Sequence, residues 1–382
     1  MGVLTYFGAA IDRSSIPGSK VDGILINVPQ NASDEGQLKE TGRLLEKAQP
    51  KCLCQDSGGF QLLKAEENNE EIYSDPTQPV NIASQKEGKR AINLTPEHIV
   101  WSARMLLQLI ESLGLQIFMI MMSLDFPTPE NISKSAEEFQ FRLKLPVNLD
   151  WARRTSHLHQ KHGLNAKLFI PVQCYNMRQL DIFLRGIEGI RHDGLSVPVR
   201  GLSIFGLAEY LVRMCETGIK MIHILGTGMY GPIALAAYLA RNHCDWVSLD
   251  ATSWFQAAMS HDFLMPDTLK AIPMTDNITF SDDYNPCLCP WCSETKSLSY
   301  IKNLPRYPFD ERFQHLCRHN FWVTTTLCRN LFTHADDLGK FEARILSTNK
   351  PSAKIDELLT ALQYLDYYVN QQTSREEAHE AL

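Results

Sequence analysis

The sequence predicts a (β/α)8 barrel with a cysteine-bearing subdomain inserted into it or appended to it. Three observations lead there. Short apolar runs alternate with helical stretches over roughly 250–280 residues, the length such a barrel requires. Four of those runs close on a carboxylate or a carboxamide, at Asp56, Asp125, Gln173 and Asp250. Beyond them, three thiols crowd into the hexapeptide Cys287-Leu-Cys289-Pro-Trp-Cys292.

Composition sets the bounds. A chain of 382 residues, 44% hydrophobic and 21% charged, has an ordinary globular composition and can bury a large core. Its formal net charge of −7 does not advertise a nucleic-acid binder, although a local basic face is compatible with an acidic whole. No apolar run approaches the roughly 20 residues that span a bilayer. The start, Met1-Gly-Val-Leu-Thr5, lacks the basic region and cleavage site of a signal peptide and is a poor myristoylation match. A cytoplasmic enzyme with no membrane partner is therefore expected, and most of its ten cysteines should be reduced.

Taken in order, Ile24–Val28 reads as a buried first strand and Lys51–Gln55 as the second. The second delivers Asp56-Ser57-Gly58-Gly59-Phe60-Gln61, where a glycine pair opens backbone angles closed to other residues. Residues 65–90 are acidic and aperiodic, an excursion over the barrel mouth that a hairpin would suit. Thr95-Pro96-Glu97 starts a helix with an N-cap, a first-turn proline and a first-turn acid. Ile117–Met122 is a continuous apolar run leading to Asp125, as befits a parallel strand covered on both faces. Leu168–Val172 leads to Gln173, Leu195–Val197 is shorter, and Ile222–Leu225 enters Gly226-Thr227-Gly228. Trp246–Leu249 ends in Asp250 after a helix over Pro232–Arg241, and Ile278–Phe280 is the expected eighth strand. The resulting division is a catalytic barrel over 1–280, a metal-binding subdomain over 281–350, and a C-terminal helix and tail over 351–382. Ile355, Leu358, Leu359, Leu362 and Leu365 give that helix an apolar face, and residues 372–382 are expected to fray.

In a barrel the ends of parallel strands share one face, so three carboxylates and a carboxamide are expected to converge there. Any one of them alone would read as a helix cap. Phe60 and Gln61 suit stacking on, and hydrogen-bonding to, a flat heterocycle. The thiol spacing suits one tetrahedral Zn²⁺, with the fourth ligand drawn from His315 or His319, which spacing does not separate; Cys317 is a weaker competitor. Three sulfurs and an imidazole close the coordination sphere, so this zinc would be structural.

These residues resemble the tRNA-guanine transglycosylases and their DNA-modifying paralogues. The matching features are Asp56-Ser-Gly-Gly-Phe-Gln61, Leu94-Thr-Pro-Glu97, Leu124-Asp125, Val172-Gln173, His223-Ile-Leu-Gly226, Asp250, and the three cysteines with His319-Asn320. The resemblance implies a (β/α)8 barrel with an inserted zinc subdomain, exchanging guanine in nucleic acid for a free 7-substituted 7-deazaguanine. It implies Asp250 as the nucleophile at the sugar C1′ and Asp56 as general acid and base. It implies Asp125 and Gln173 on the guanine edge, Phe60 and Leu225 against the ring, and Ser57, Gln61 and Gly226 completing the base-binding set. It also implies Cys287, Cys289, Cys292 and His319 as the zinc ligands, the His-Asn pair selecting His319 over His315.

Departures from the tRNA enzymes point to the DNA branch, which inserts 7-cyano-7-deazaguanine (preQ0). Pro198-Val199 replaces a Gly-Gly or Gly-Ala pair, and proline has no N–H to offer the base, so recognition of the 7-substituent differs or uses Val199 and Arg200. Asp250-Ala-Thr-Ser-Trp254 replaces a basic segment, and no added RNA-binding domain follows. DNA is thus the expected polymer, met by a basic face including Arg153, Arg154 and Arg200, with tRNA as the alternative. A homo-oligomer and helper proteins that open the duplex are compatible partners. A non-catalytic partner subunit is a further reading, opposed by retention of both Asp56 and Asp250. A zinc hydrolase is disfavoured because the metal site has no open position.

Overall fold

The computed structural model describes residues 2–8, 22–27, 35–59, 62–63, 80–82, 92–199, 201–275, 277–281, 283–295, 297–305 and 311–371. Eight parallel strands close a barrel: β1 (Val3–Gly8), β2 (Gly23–Asn27), β3 (Cys52–Asp56), β6 (Phe118–Met122), β7 (Lys167–Pro171), β8 (Gly194–Pro198), β9 (Met221–Leu225) and β10 (Trp246–Ala251). They follow one another around the barrel in chain order, and β1 closes it by pairing in parallel with β10, Phe7 opposite Asp250. The numbering is interrupted by a hairpin of β4 (Val80–Ile82), within the expected excursion, against β5 (Ile92–Leu94), just after it; the rest of 65–90 lies outside the described residues. A second hairpin, β11 (Asp262–Leu264) with β12 (Ala271–Pro273), follows the barrel.

The barrel strands form where expected, with two corrections at its seam. Ile278–Phe280 is not a strand: the Ile278 N–H closes a turn on Thr275, and Thr279 is exposed. Its place is taken by β1, whose Leu4-Thr-Tyr-Phe7 is a β-prone run ending at a glycine. Ile24–Asn27 is consequently in the second strand, not the first.

The helices carry their signals at their ends. Thr95 caps Pro96–Ser112 by accepting from His98 N–H at 3.2 Å, with Pro96 in the first turn as its missing N–H allows. Ser133 and Asn176 cap Lys134–Lys161 and Met177–Gly186 in the same way. In the C-terminal helix Ala353–Gln371, Ile355, Leu358, Leu362 and Leu365 are buried; residues 372–382 lie outside the described residues. Among the described residues no helix is long and apolar enough to cross a membrane.

The chain divides into two compact units. One comprises Val21–Leu202 and Glu209–His223 and holds β2, β3, β6, β7 and β8. Its interior is filled by Leu53, Met119 to Met122, Phe169 and Leu195. The other comprises Met1–Lys20, Ser203–Ala208 and Ile224–Leu382, with β1, β10 and the helices from Tyr230 onward.

Candidate active site and metal centre

In the first unit, the ends of β3, β6 and β7 supply a carboxylate with two donors already aimed at it. β3 finishes at Asp56, and the chain turns away through Gly58, which takes a φ of 81°. Ser57 is buried, donates its hydroxyl to Asp125 Oδ1 and accepts from Gly59 N–H at 3.1 Å. Gln173 donates its amide to Asp125 Oδ2 at 2.7 Å and accepts from Thr128 N–H at 3.2 Å. Gly59 has to be a glycine: a Cβ there would lie 2.7 Å from Asp125 Oδ1 and 3.0 Å from Pro127. Burial pushes the Asp125 carboxyl up to about 6, against the lowering effect of the Ser57 and Gln173 hydrogen bonds.

The segment after Asp125 is tied down by groups that sequence reading missed. Asn148 accepts from Phe126 N–H at 2.6 Å and donates to the Phe126 carbonyl at 3.1 Å. Lys144, 1% exposed, donates to the Pro127 carbonyl at 2.7 Å and sits 4.2 Å over the Phe126 ring. Tyr175 donates its hydroxyl to the Pro129 carbonyl at 2.7 Å. Asp125 is thereby mounted on a rigid ledge, which suits recognition of a flat polar edge more than a moving lid would.

In the second unit, Asp250 is the penultimate residue of β10, just before Ala251, and is 9% exposed. Its Oδ1 accepts the Gly226 N–H at 2.8 Å. Gly226 follows β9 with a φ of 72°, a conformation that favours glycine and that turns its N–H toward the carboxylate. A backbone donor of this kind fixes one oxygen and orients the other. Leu225, half-buried, closes β9 just before it.

The same unit contains the metal centre. Ligand atoms of Cys287, Cys289, Cys292 and His319 all lie within 4.8 Å of one another, and all four residues are buried. His319 Nδ1 stands 3.3 Å from Cys292 Sγ and 3.6 Å from Cys289 Sγ. Its other nitrogen donates to the Leu264 carbonyl at 2.8 Å, which fixes the tautomer and leaves Nδ1 for a metal. Asn285 pins the cysteine loop, accepting from Cys287 N–H and donating to the Cys292 carbonyl, both at 3.0 Å. Cys289 and Cys292 N–H each point at a sulfur, at 3.3 Å. Crowding makes the sulfurs compete for charge: hydrogen bonds from Cys287 and Cys292 hold Cys289 low, while Cys287 is pushed up to about 12 by its bond to Cys289. Such a set is relieved by a cation, and its donors fit one. His315, one turn earlier, reaches only Cys292, at 3.5 Å.

Ser57, Asp125 and Gln173 are thus brought together in one unit, and Asp250 with Gly226 in the other. Asp56 stands at the end of β3. Phe60, Gln61 and Arg200 lie outside the described residues. Of the other two expected basic residues, Arg153 is exposed, whereas Arg154 is held by Glu97 at 2.7 Å. The family model described as Queuine tRNA-ribosyltransferase matches residues 27–346. No curated protein matches the chain.

Proposed function

The chain belongs to the queuine tRNA-ribosyltransferase family and is a pentosyltransferase of the guanine-exchanging type; we propose that its polymer is DNA and the incoming base a 7-deazaguanine, 7-cyano-7-deazaguanine (preQ0) in the first instance. The reading is carried by buried Asp125, held between Ser57 and Gln173. An ionised carboxylate accepts from the N1–H and N2–H₂ of guanine, and the remaining amide proton of Gln173 serves O6. Asp250 attacks C1′ as the C1′–N9 bond breaks, forming a glycosyl ester, and Asp56 protonates the departing guanine. The incoming base then gives its N9 proton to Asp56 and displaces Asp250 from C1′, restoring the original stereochemistry. Both roles rest on the place of these residues at the C-terminal ends of barrel strands, where such folds keep their chemistry. Phe60 and Leu225 are assigned to the faces of the base and Gln61 to its edge.

The metal we assign is zinc, which three thiolates and one imidazole suit. When bound it supplies structure, since no ligand position stays open for substrate.

DNA is favoured by the fate of the segment after Asp250. Ala251 and Trp254 are buried, so Ala251-Thr-Ser-Trp254 is used for packing and presents no cation to an RNA loop. Pro198, which ends β8, has no N–H to offer a 7-substituent, and Val199 beyond it is buried. A guanine in duplex DNA must be extruded, at a cost of a few kcal/mol. Single-stranded DNA is therefore the expected better substrate when no helper protein opens the duplex. The test is incorporation of labelled guanine into single-stranded DNA, matched duplex and bulk tRNA at one salt concentration. Incorporation into tRNA alone would replace the DNA reading with the tRNA one, which the description of the family model favours.

The Asp125 environment predicts a pH dependence. Guanine needs the ionised carboxylate, and the free protein holds that proton up to about pH 6. Guanine affinity is expected to rise about tenfold per pH unit up to about pH 6 and to level off above it. Ligand-free stability has the opposite sign: the raised carboxyl favours the fold below its unfolded pKa, and that contribution fades as pH rises through about 6. Guanine titrations from pH 4.5 to 8 check the first and thermal melts without guanine over the same range check the second; a flat affinity profile would remove Asp125 from the base edge.

A further inference from the structure

The helix that carries His319 also grips the chain immediately after Asp250. Asn320 is fully buried and all its side-chain hydrogen bonds run to backbone. Its Oδ1 accepts from Leu264 N–H at 3.0 Å, and its Nδ2 donates to the carbonyls of Asp262 at 3.0 Å and Trp254 at 3.3 Å. Trp254 is equally buried, and its indole N–H turns back to the Ala251 carbonyl at 3.1 Å. Ala251 is the residue bonded to Asp250. Ring contacts reinforce the same joint: Trp254 meets Phe321 edge-on at 5.2 Å, and Phe255 meets Phe313 edge-on at 5.5 Å. His319 faces the other way, its ring stacked on Phe263 at 3.7 Å and its Nδ1 toward the sulfurs.

We propose that Asn320 and Trp254 are positioning residues for the transferase reaction, fixing the peptide after Asp250 from the helix that bears the metal ligand. The inference rests on the assignment of Asp250 as nucleophile. Neither residue needs to touch the base or the sugar. Their action is to hold the Asp250–Ala251 unit so that the Asp250 carboxylate keeps its direction. A displacement of about 1 Å at a reacting group costs up to about a hundredfold in rate.

The experiment compares Asn320→Ala and Trp254→Phe with the parent protein. Phe keeps an aromatic ring in the pocket and removes the indole N–H together with the second ring, a milder change than Asn320→Ala, so this variant decides the matter if Asn320→Ala fails to fold. The readouts are kcat and KM for base exchange, the rate at which the covalent nucleic-acid adduct forms after rapid mixing, and bound metal. The expected result is a kcat and adduct-formation rate lower by about tenfold in Trp254→Phe and up to about a hundredfold in Asn320→Ala. KM for the free base should stay within about twofold and the metal content should be unaltered. Peptide mapping of the parent adduct separates the two ways of failing. An adduct on another residue overturns the nucleophile assignment and this inference with it. An adduct on Asp250, with Trp254→Phe keeping its kcat or losing it only through KM, overturns the positioning role alone.

Discussion

Asp250→Asn is expected to fold as the parent does and to exchange no measurable guanine. The amide oxygen replaces the carboxylate Oδ1 as acceptor for Gly226 N–H, and the side chain is of equal size in a site only 9% exposed. What is lost is the nucleophile, because an amide forms no stable ester with C1′. Removal of the attacking group in a covalent mechanism costs several orders of magnitude, and a fall of roughly 10⁴-fold or more is expected here. Exchange of labelled guanine at fixed polymer concentration measures it, with a thermal melt to show that the fold persists. Near-parental exchange in a folded variant would end the assignment of Asp250 to C1′.

Cys289→Ala carries the largest expected effect on stability. Its sulfur is fully buried, takes the Cys292 N–H and lies 3.6 Å from His319 Nδ1. Structural zinc in small domains contributes about 10–16 kcal/mol of apparent binding energy, comparable to the whole stability of an ordinary domain. Bound metal is expected to fall below half an equivalent and the thermal midpoint to drop by about 10 °C or more. The neighbouring histidines sharpen the test. His319→Ala should lose metal as Cys289→Ala does, while His315→Ala should keep it, since His315 touches one sulfur alone. A parent protein purified without chelator that carries no metal would count against the centre altogether.

The distribution of what could be read beforehand follows from where each signal resides. Strands β6, β7, β9 and β10 were legible because a parallel strand covered on both faces is a plain apolar run. The places of Asp125, Gln173 and Asp250 at or just beyond strand ends were legible because they follow such runs. β1 escaped, lying before any helix that would set the alternation, and Ile278–Phe280 took its place on apolar content alone. Nothing local announces Lys144 or Asn148 as braces for the Asp125 ledge. Each lies in the middle of the helix Lys134–Lys161, and its partner is the loop near Phe126, up to 22 residues away. His315 and His319 are one helical turn apart and share a face. Only the Leu264 carbonyl and the Phe263 ring, from a hairpin distant in sequence, settle which imidazole meets the sulfurs.

The seam of the barrel has a consequence for the order in which the protein is made. β1 leaves the ribosome before the other barrel strands, and its partner β10 comes more than two hundred residues later, with Phe7 opposite Asp250. At about 5–20 residues per second of synthesis, the wait lasts roughly 10–50 s. During it the edge of β1 that will take β10 has no native occupant, while β2, β3, β6 and β7 emerge in succession and find theirs. The strand that carries Asp250 therefore arrives as the closing stave, and the candidate site gains that carboxylate in the same step that covers the waiting edge of β1.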